Sequence, residues 1–555
     1  MVSELVEVIR LSTGAELKLA EQMPPAKQPA IVIGDCEASR QAGIDATQIP
    51  LEGFVVKTAR HRVYLVGSSR EYPSGNANES TTWAVVDFLE RFVGVRWYWP
   101  IKADGRSIVK TDSLSVPPVH YTDAPVFQFR DYWPGNISTR GLQGIVDEEK
   151  MRPPLVQLRK GTSWPWTMRS CHSLPVSAER TIGSQQLLDY MLKGCQEVWD
   201  KNNPSWPGLK VAGRPFVYRD AVFVSYLDHS VKTEHIHESW RKHIRKGGSA
   251  WDRASHLMGL FVQQLAEQVA QRWPDKRVVY LPYWHYLMCP DLTFPDNLEV
   301  EVALTTTDGM PGMTERRKRQ MNERNIRAWH EKAGGKITLW NYMHTVRTAG
   351  PAQFPYLIQE FHRKHRPLIA GSFVNGVGET KEWATLAPSA YVYMKVLWNP
   401  DVDVTAILDE WCRRQFGAAG DTTRELLQMM INRWEKTRWT VPLSQSRGLS
   451  GDGKIFSETW PPHVVRRMKE LVAKAMDQLK NDTRARKRLD YWLFSFDEFL
   501  EEAEVEWEKA GVRPRKKSGK RNLRGGEIKG GQATLFDSSR DCLVGASWIS
   551  YSAIK

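Results

Sequence analysis

The sequence predicts an α/β protein with three structured parts: an N-terminal α/β unit, a central (β/α)8-like barrel and a C-terminal helical region. Three observations carry this. Short β-branched and aromatic runs alternate with amphipathic segments of helical period between residues 126 and 400, the pattern of a parallel sheet crossed over by helices. A Pro-rich stretch, 110–125, separates that region from a different α/β pattern before it. After Pro400 the strand-like runs stop and only helical periodicity remains. The expected layout is therefore 1–120 as the N-terminal unit, 126–400 as the barrel, 401–510 as the helical region and 511–555 as a basic tail.

In the N-terminal unit, Leu5, Val8, Ile9 and Leu11 mark a short helix. Strands are expected at 30–33, 53–57 and 62–67, the last two as a hairpin across Ala59 to His61. An amphipathic helix over 81–92 should stop at Gly94, because glycine readily takes the left-handed conformation that ends helices. In the barrel region, strands are expected at 126–131, 221–226, 277–283, 300–304, 337–342 and 368–374. Between them, Leu257, Phe261, Leu265 and Val269 keep one helix face apolar from Ala254 to Trp273, and 322–332 and 354–365 read as further helices. The Trp-rich stretch 162–172 fits neither period. About seven strands are visible and an eighth is not. A helix is expected over 391–398, then helices at 404–416, 423–439, 462–479 and 485–509.

Composition bounds the function. The 555 residues are 41% hydrophobic and 25% charged, so a large core is available and most of the chain should be ordered. The net charge of +13 suggests a polyanion partner, but eight basic residues against one acid lie between Arg513 and Lys529. A Gly-rich, charged tail of this kind is read as a solvated extension, and no nucleic-acid site is expected. The six cysteines are scattered without a CxxC, which predicts mostly free thiols. No apolar run approaches the ~20 residues of a membrane span. The N-terminus has no secretory h-region. Neither a Walker A motif nor a GxGxxG opening a helix is present, so no cofactor is expected. Asp228, His229, Glu234, His235, His237 and Glu238 crowd one stretch, but their spacing fits no metal pattern and no metal site is assigned.

In a barrel the C-terminal ends of all strands converge on one face, so residues there meet although distant in sequence. That set is Arg130, Asp131, His172, Asp228, His229, Tyr283, His285, Asp308, Asn341, Tyr342, Asn375 and Glu379, accompanied by Trp284, Trp340 and Trp383. Carboxylates with an amide, a tyrosine and indoles that stack on sugar rings match the needs of glycoside hydrolysis. The same polar residues also serve strand-end hydrogen bonding alone, and that reading stays open. Glu379 follows a buried strand and two loop glycines, Gly376 and Gly378, and precedes Trp383 by four residues. It is the first candidate for general acid/base, with Glu382 and Asp228 as the other catalytic candidates. Arg130, His172, Trp284, Trp340, Tyr342, Asn375 and Trp383 are the candidates for substrate binding.

Several phrases carry a resemblance. TTWAVVDFLERFVGVRWYWP resembles the end of the N-terminal domain that precedes α-glucuronidase and hexosaminidase barrels. CHSLP, RVVYLPYW, PDNLEVEV, LWNYM, GETKEW, YVYMKVLWNPDVDV and ILDEWCRRQFGAA resemble the bacterial domain of unknown function 4838, some members of which are classed as glycoside hydrolase family 163, endo-β-N-acetylglucosaminidases acting on N-glycans. The likeness runs from about residue 5 to about residue 500. It implies a retaining, substrate-assisted glycosidase with Glu379 as acid/base, a glycan as substrate, and a secreted or periplasmic location. A polar neighbour would hold the sugar's N-acetyl group, with Asn375, Tyr342 and Asp228 as alternatives. The sequence departs from the family pattern in two places: Asp228-His229-Ser230, with His235 and His237, stands where members often carry an Asn-Asp-Gly stretch and a Cys-rich motif, and no signal peptide or first strand precedes the N-terminal helix. Two other readings therefore stand beside the first: an exo-acting glycosidase for another sugar such as a uronic acid, and an inactive barrel that only binds carbohydrate.

Overall fold

The computed structural model describes residues 1–25, 27–72, 78–98, 105–133, 172–211, 214–226, 231, 233–244, 249–304, 316–335, 337–342, 351–375, 380–437 and 455–512. The basic tail, Asp308 and most of the Trp-rich stretch lie outside them.

The chain opens with the helix Val2–Thr13, which ends on Gly14 at φ 78° and buries Leu5, Val8 and Ile9. β1 (Ala30–Ile33), β2 (Phe54–Ala59) and β3 (Arg62–Gly67) follow. β3 pairs with β1 in parallel and with β2 as the expected hairpin. The helix Ser80–Phe88 packs its Trp83, Val86 and Phe88 against this sheet, continues through a wider turn over Leu89–Val93, and stops at Gly94 as expected. β4 (Arg96–Trp97) and β5 (Arg106–Ser107) form a small antiparallel pair. The expected linker ends in structure: β6 (His120–Asp123) adds to β2 as an antiparallel edge strand. Its polar His-Tyr-Thr-Asp sequence carries no apolar alternation, because an edge strand buries little.

Seven strands then form one curled, half-barrel sheet, in the order β10 (Val217–Tyr218), β11 (Ala221–Val224), β12 (Arg277–Tyr280), β13 (Leu298–Ala303), β14 (Ile337–Tyr342), β15 (Ile369–Asn375) and β7 (Phe129–Trp133). Every pair from β11 to β7 is parallel, and β10 joins β11 antiparallel. A small ladder of β8 (Lys210–Val211) with β9 (Arg214–Pro215) lies outside it. The strand earliest in sequence, β7, pairs with the last, β15. The helices Gln185–Trp199, Ala250–Arg272, Arg316–Lys332 and Pro355–His365 alternate with the strands, and Thr380–Trp398 follows β15. The helix Ala250–Arg272 starts at a capping box, Ser249 with Asp252, which satisfies two end groups of the backbone reciprocally.

The two faces of the sheet are distinct. Val222, Val224, Val278 and Tyr280 join the large core together with the helix residues Phe261, Val262 and Leu265. Ala221, Phe223 and Val279, alternating with them, form a separate small cluster on the concave side. Since strand side chains alternate with a period of two, the register assigns every other residue. Glu299, Glu301 and Ala303 of β13, Thr338, Trp340 and Tyr342 of β14, Phe373 of β15 and Asp131 of β7 face inward. At the N-terminal end of this interior Arg277 is ion-paired with Glu299 and Asp220.

β15 and β7 approach so closely at Gly371, φ 149°, that a Cβ there would overlap the Phe129 carbonyl. Only glycine takes that backbone conformation without strain. Gly371→Ala should therefore destabilise the fold by about 2–3 kcal/mol through overlap and backbone strain, read as a fall in the urea midpoint; an unchanged midpoint would mean the two strands separate freely.

After Pro400 the elements are helical: Val404–Phe416, Gly420–Asn432, Pro462–Gln478, Thr483–Trp492 and Phe496–Lys509. The single helix expected over 485–509 is two. The Phe496 N–H donates to the Leu493 carbonyl in a turn between them, and the Ser495 hydroxyl is tied to Thr385 Oγ1 at 2.7 Å on the helix after β15. The helix expected from Tyr391 starts earlier, at Thr380, with Pro388 inside it. Glu435 connects this region to the half-barrel: its Oε1 accepts the N–H groups of Tyr356 and Leu357, both at 3.1 Å, in the first turn of the helix Pro355–His365, where backbone N–H groups lack partners within the helix. Burial raises the Glu435 carboxyl to about 7 against the opposing effect of those two bonds.

The N-terminal unit is held by charge and packing together. Lys395 pairs with Glu90 at 2.6 Å and Arg96 with Glu410 at 2.9 Å. The Trp398 indole donates to Asp123 at 3.1 Å and its ring packs on Phe54 and Trp83. Cys36, Cys195, Cys289 and Cys412 are free thiols, as expected; Cys171 and Cys542 lie outside the described residues. None of the described helices is long and apolar enough to cross a membrane.

Candidate active site

The concave face is layered. Glu301 and Thr338 lie opposite each other on β13 and β14, with Gly371 and Phe129 completing the row on β15 and β7. One step toward the strand C-termini come Ala303, Trp340, Phe373 and Asp131. The next step holds Tyr342, with Asn375 and Trp133 in register beside it. Trp340 and Phe373 meet edge to face with ring centroids 4.6 Å apart, and both are buried. Asp131, on the adjoining strand, is buried as well. The interior thus ends, on the side where the strands finish, in an aromatic wall with a carboxylate beside it.

The chain leaving β12 builds the rim. Tyr283 lies 6.5 Å from Tyr342 and 6.1 Å from Trp284, centroid to centroid. Trp284 is half-buried, stacks on His285 at 5.2 Å and holds φ at 46°. A bulky residue in the left-handed region is costly, and such costs persist where the surroundings demand the geometry, often at ligand sites. Burial keeps the His285 imidazole below its usual range and so neutral near pH 7. His172, φ 53°, directly precedes Ser173 and Leu174, whose N–H groups both donate to the carbonyl of Ser225 just after β11. The Tyr226 hydroxyl shares a hydrogen bond with His235 Nδ1, and Tyr286 donates to the Tyr226 carbonyl at 3.1 Å. Strand ends from β11, β12 and β14 are thereby tied together.

Among the binding candidates, Trp340 and Tyr342 are on the concave face, and Trp284 and His172 are at strand ends. Asn375 is the last residue of β15, in register with Tyr342 and Trp133; its side chain is outside the description. Glu382 and Trp383 lie in the helix Thr380–Trp398, with side chains likewise outside it. Glu379, Asp228 and His229 are outside the described residues. Arg130 differs from expectation. It lies next to Asp131 on β7 and therefore on the opposite face, where it forms a fully buried ion pair with Glu52 of the N-terminal unit and donates to the Phe127 carbonyl at 2.8 Å. Its guanidinium also lies 5.2 Å from the Trp398 ring, close enough for a cation–π contact. Asn341, between the inward Trp340 and Tyr342, is likewise on the helix-facing side, where the Tyr393 hydroxyl donates to Ser372 Oγ at 2.7 Å. Among the described residues no group of three potential ligands could hold a metal ion.

Sequence reading missed Glu301. The signal was present, since Leu298-Glu299-Val300-Glu301-Val302 alternates and places both acids on one face. It also missed the support beneath β15, where His362 is fully buried, its ring 5.5 Å from Tyr393, with Nδ1 hydrogen-bonded to the Ile358 carbonyl at 2.8 Å. Its Nε2 has no hydrogen-bond partner among the described residues. Burial holds this imidazole down to about 4. An unfolded histidine titrates near 6.5, so the unfolded state takes up the proton first as pH falls. The stabilising contribution is complete above about pH 6.5 and is lost as pH drops through 4, a total of about 3 kcal/mol. The melting temperature should fall over that window, and fall less in His362→Phe; parallel pH profiles for the two proteins would contradict this.

Residues 234–428 match the family model Domain of unknown function (DUF4838). That span runs from the segment after β11, through β12 to β15 and into the helical region, so the DUF4838 match takes in the rim and most of the concave face. No curated protein sequence matches the chain. Among solved structures, CpGH84B aligns over 92% of this chain and 87% of its own, with 10% identity and a TM-score of 0.42. A GH138 enzyme targeting pectin rhamnogalacturonan II aligns over 87% and 69%, with 10% identity and a TM-score of 0.38. A family 89 glycoside hydrolase from Clostridium perfringens, in complex with PUGNAc, aligns over 83% of this chain and 59% of its own, with 10% identity and a TM-score of 0.44.

Proposed function

We propose that the chain is a glycoside hydrolase acting on a glycan that contains an N-acetylhexosamine. The observation that carries this is the concave face, on which one parallel sheet sets a buried carboxylate, Asp131, beside the Trp340–Phe373 wall and under Tyr342, with Trp284 and Tyr283 at the rim. Aromatic faces and edges take the C–H surfaces of a sugar while acids and hydroxyls take its O–H groups. The resemblance in GETKEW and YVYMKVLWNPDVDV adds the chemistry. In that scheme Glu379 gives its proton to the leaving oxygen as the glycosidic C–O bond breaks. The sugar's own N-acetyl oxygen closes onto the anomeric carbon, held by Asn375, Tyr342 or Asp228. Water, deprotonated by Glu379, then opens the ring intermediate, and the anomeric configuration is retained.

The same reading completes the half-barrel as a (β/α)8-like barrel over 126–400, flanked by the N-terminal unit 1–120 and the helical region 401–510. Two features support closure: β7 pairs with the last strand β15, and Ser173 and Leu174 donate to the Ser225 carbonyl just past β11, beyond the residues that β10 pairs with. An inactive carbohydrate-binding barrel is the alternative favoured by the altered residues Asp228-His229-Ser230. Incubation of the full chain with released N-glycans and with 4-nitrophenyl N-acetylhexosaminides and uronides separates the readings. Cleavage of an N-acetylhexosaminide bond is expected. Cleavage of uronides alone would replace the substrate class, and binding without cleavage would leave only the carbohydrate-binding alternative.

A further inference from the structure

We infer that Gln353 is a positioning residue for the general acid: it locks the first turns of the helix Thr380–Trp398, which bears Glu382 and directly follows Glu379, to the start of the neighbouring helix Pro355–His365. The inference rests on the hydrolase reading above and deepens it. In a sheet of parallel strands crossed over by helices, each helix starts at the end where the strands finish, so both helix starts stand at the same end as the site. Gln353 lies at that end, just before the helix Pro355–His365, and is fully buried. Its amide is bonded at both ends. Nε2 donates to the Thr385 carbonyl at 2.5 Å, and Oε1 accepts from the Ser389 hydroxyl at 2.8 Å. The Ser389 oxygen in turn accepts the Phe354 N–H at 3.1 Å, which closes the connection between the two helices. Thr385 Oγ1 adds the bond to Ser495 and so brings in the break between the last two helices. Thr385, Ser389 and Ser495 are buried too, and the adjoining Phe354, Leu386, Ala387 and Ala390 belong to the large core. An amide and three hydroxyls are costly in such a place unless each is bonded, and a network with every member bonded specifies one arrangement of the elements that carry it. Thr385 is within one turn of Glu382. The helix also needs support here, because Pro388 has no N–H and leaves it one backbone bond short. A shift of ~1 Å at a catalytic group is enough to cost ~10²-fold in rate.

The test uses the full chain and two aryl glycosides of the sugar that it cleaves, one with phenol and one with 2,4-dinitrophenol as leaving group. Phenolate leaves poorly and needs the acid's proton; 2,4-dinitrophenolate leaves without it. Gln353→Met keeps the bulk of the side chain and removes both of its hydrogen bonds. It should lower kcat/KM on the phenyl glycoside by about 10- to 10²-fold and on the 2,4-dinitrophenyl glycoside by less than about threefold, since only the first needs a well-placed acid. A role confined to stability reduces the folded fraction and lowers both rates by one factor, so equal losses overturn the inference, as do unchanged rates on both. If Gln353→Met does not fold, Ser495→Ala decides. It removes only the tie to Thr385; a loss confined to the phenyl glycoside supports the lock, and equal losses or none overturn it. Hydrogen exchange gives a readout apart from activity: the amides of 380–389 should exchange about 10-fold faster or more in the variant, and unchanged exchange overturns the lock. A wild type inert toward every glycoside overturns the hydrolase reading and the assignment to its acid together, whereas an active wild type with equal losses in the variant overturns this inference only.

Discussion

Glu379→Gln should lower kcat on a glycan with a poor leaving group by at least ~10²-fold, the lower end of what a positioned general acid contributes, with folding intact. The amide keeps the shape of the side chain and removes the transferable proton. An aryl glycoside with a good leaving group needs less protonation and should be hurt less in the first step. The placement behind this is the end of β15: the strand runs to Asn375, and the helix begins at Thr380, so Glu379 is four residues past a strand whose Phe373 lines the interior. Glu382 is the rival within the same few residues. Near wild-type turnover by Glu379→Gln with a dead Glu382→Gln would move the acid to Glu382, and activity in both would move it to Asp228.

Arg130→Met should destabilise the protein by about 3–5 kcal/mol, because it removes the cation paired with the Glu52 carboxylate in a site with no exposure of either side chain. Glu52 itself sits at φ 58°, a conformation that a side chain of its size holds only under constraint. The double replacement of Arg130 by Met and Glu52 by Leu removes both charges and should recover most of the loss, since a buried pair exchanged for apolar groups of similar size is often close to neutral. Urea unfolding of the two single variants and the double variant measures this. Additive losses would show that Arg130 and Glu52 act separately. The result also bears on the site, because β7 carries Arg130 to the N-terminal unit and Asp131 to the interior on consecutive residues.

How much of this was legible in the sequence depends on how much each element buries. β14 over 337–342 was read correctly because all six of its residues are buried and apolar or aromatic in the main, and the long helix near 254–273 because Leu257, Phe261, Leu265 and Val269 mark one face. β6 falls within the expected linker because an edge strand of polar residues has no such signature. The helix Gln185–Trp199 is not among the expected elements, although its buried Leu187, Leu188, Met191 and Leu192 have helical spacing and Ser184 caps it. The break at Leu493–Ser495 depends on Ser495 meeting Thr385, 110 residues away, and no local pattern reports a tertiary tether. The site shows the same division. Strand ends and aromatics were legible, but the direction of a side chain was not used. Taking Arg130 and Asp131 together as mouth residues ignored the alternation that puts them on opposite faces.

Proton NMR of the anomeric signal during the first turnovers on a β-linked N-acetylhexosaminide reads out hydrolysis with the substrate's own amide as nucleophile. The β-anomer should appear first, with mutarotation to the α-anomer following. Initial release of the α-anomer would contradict this by showing direct attack of water with inversion.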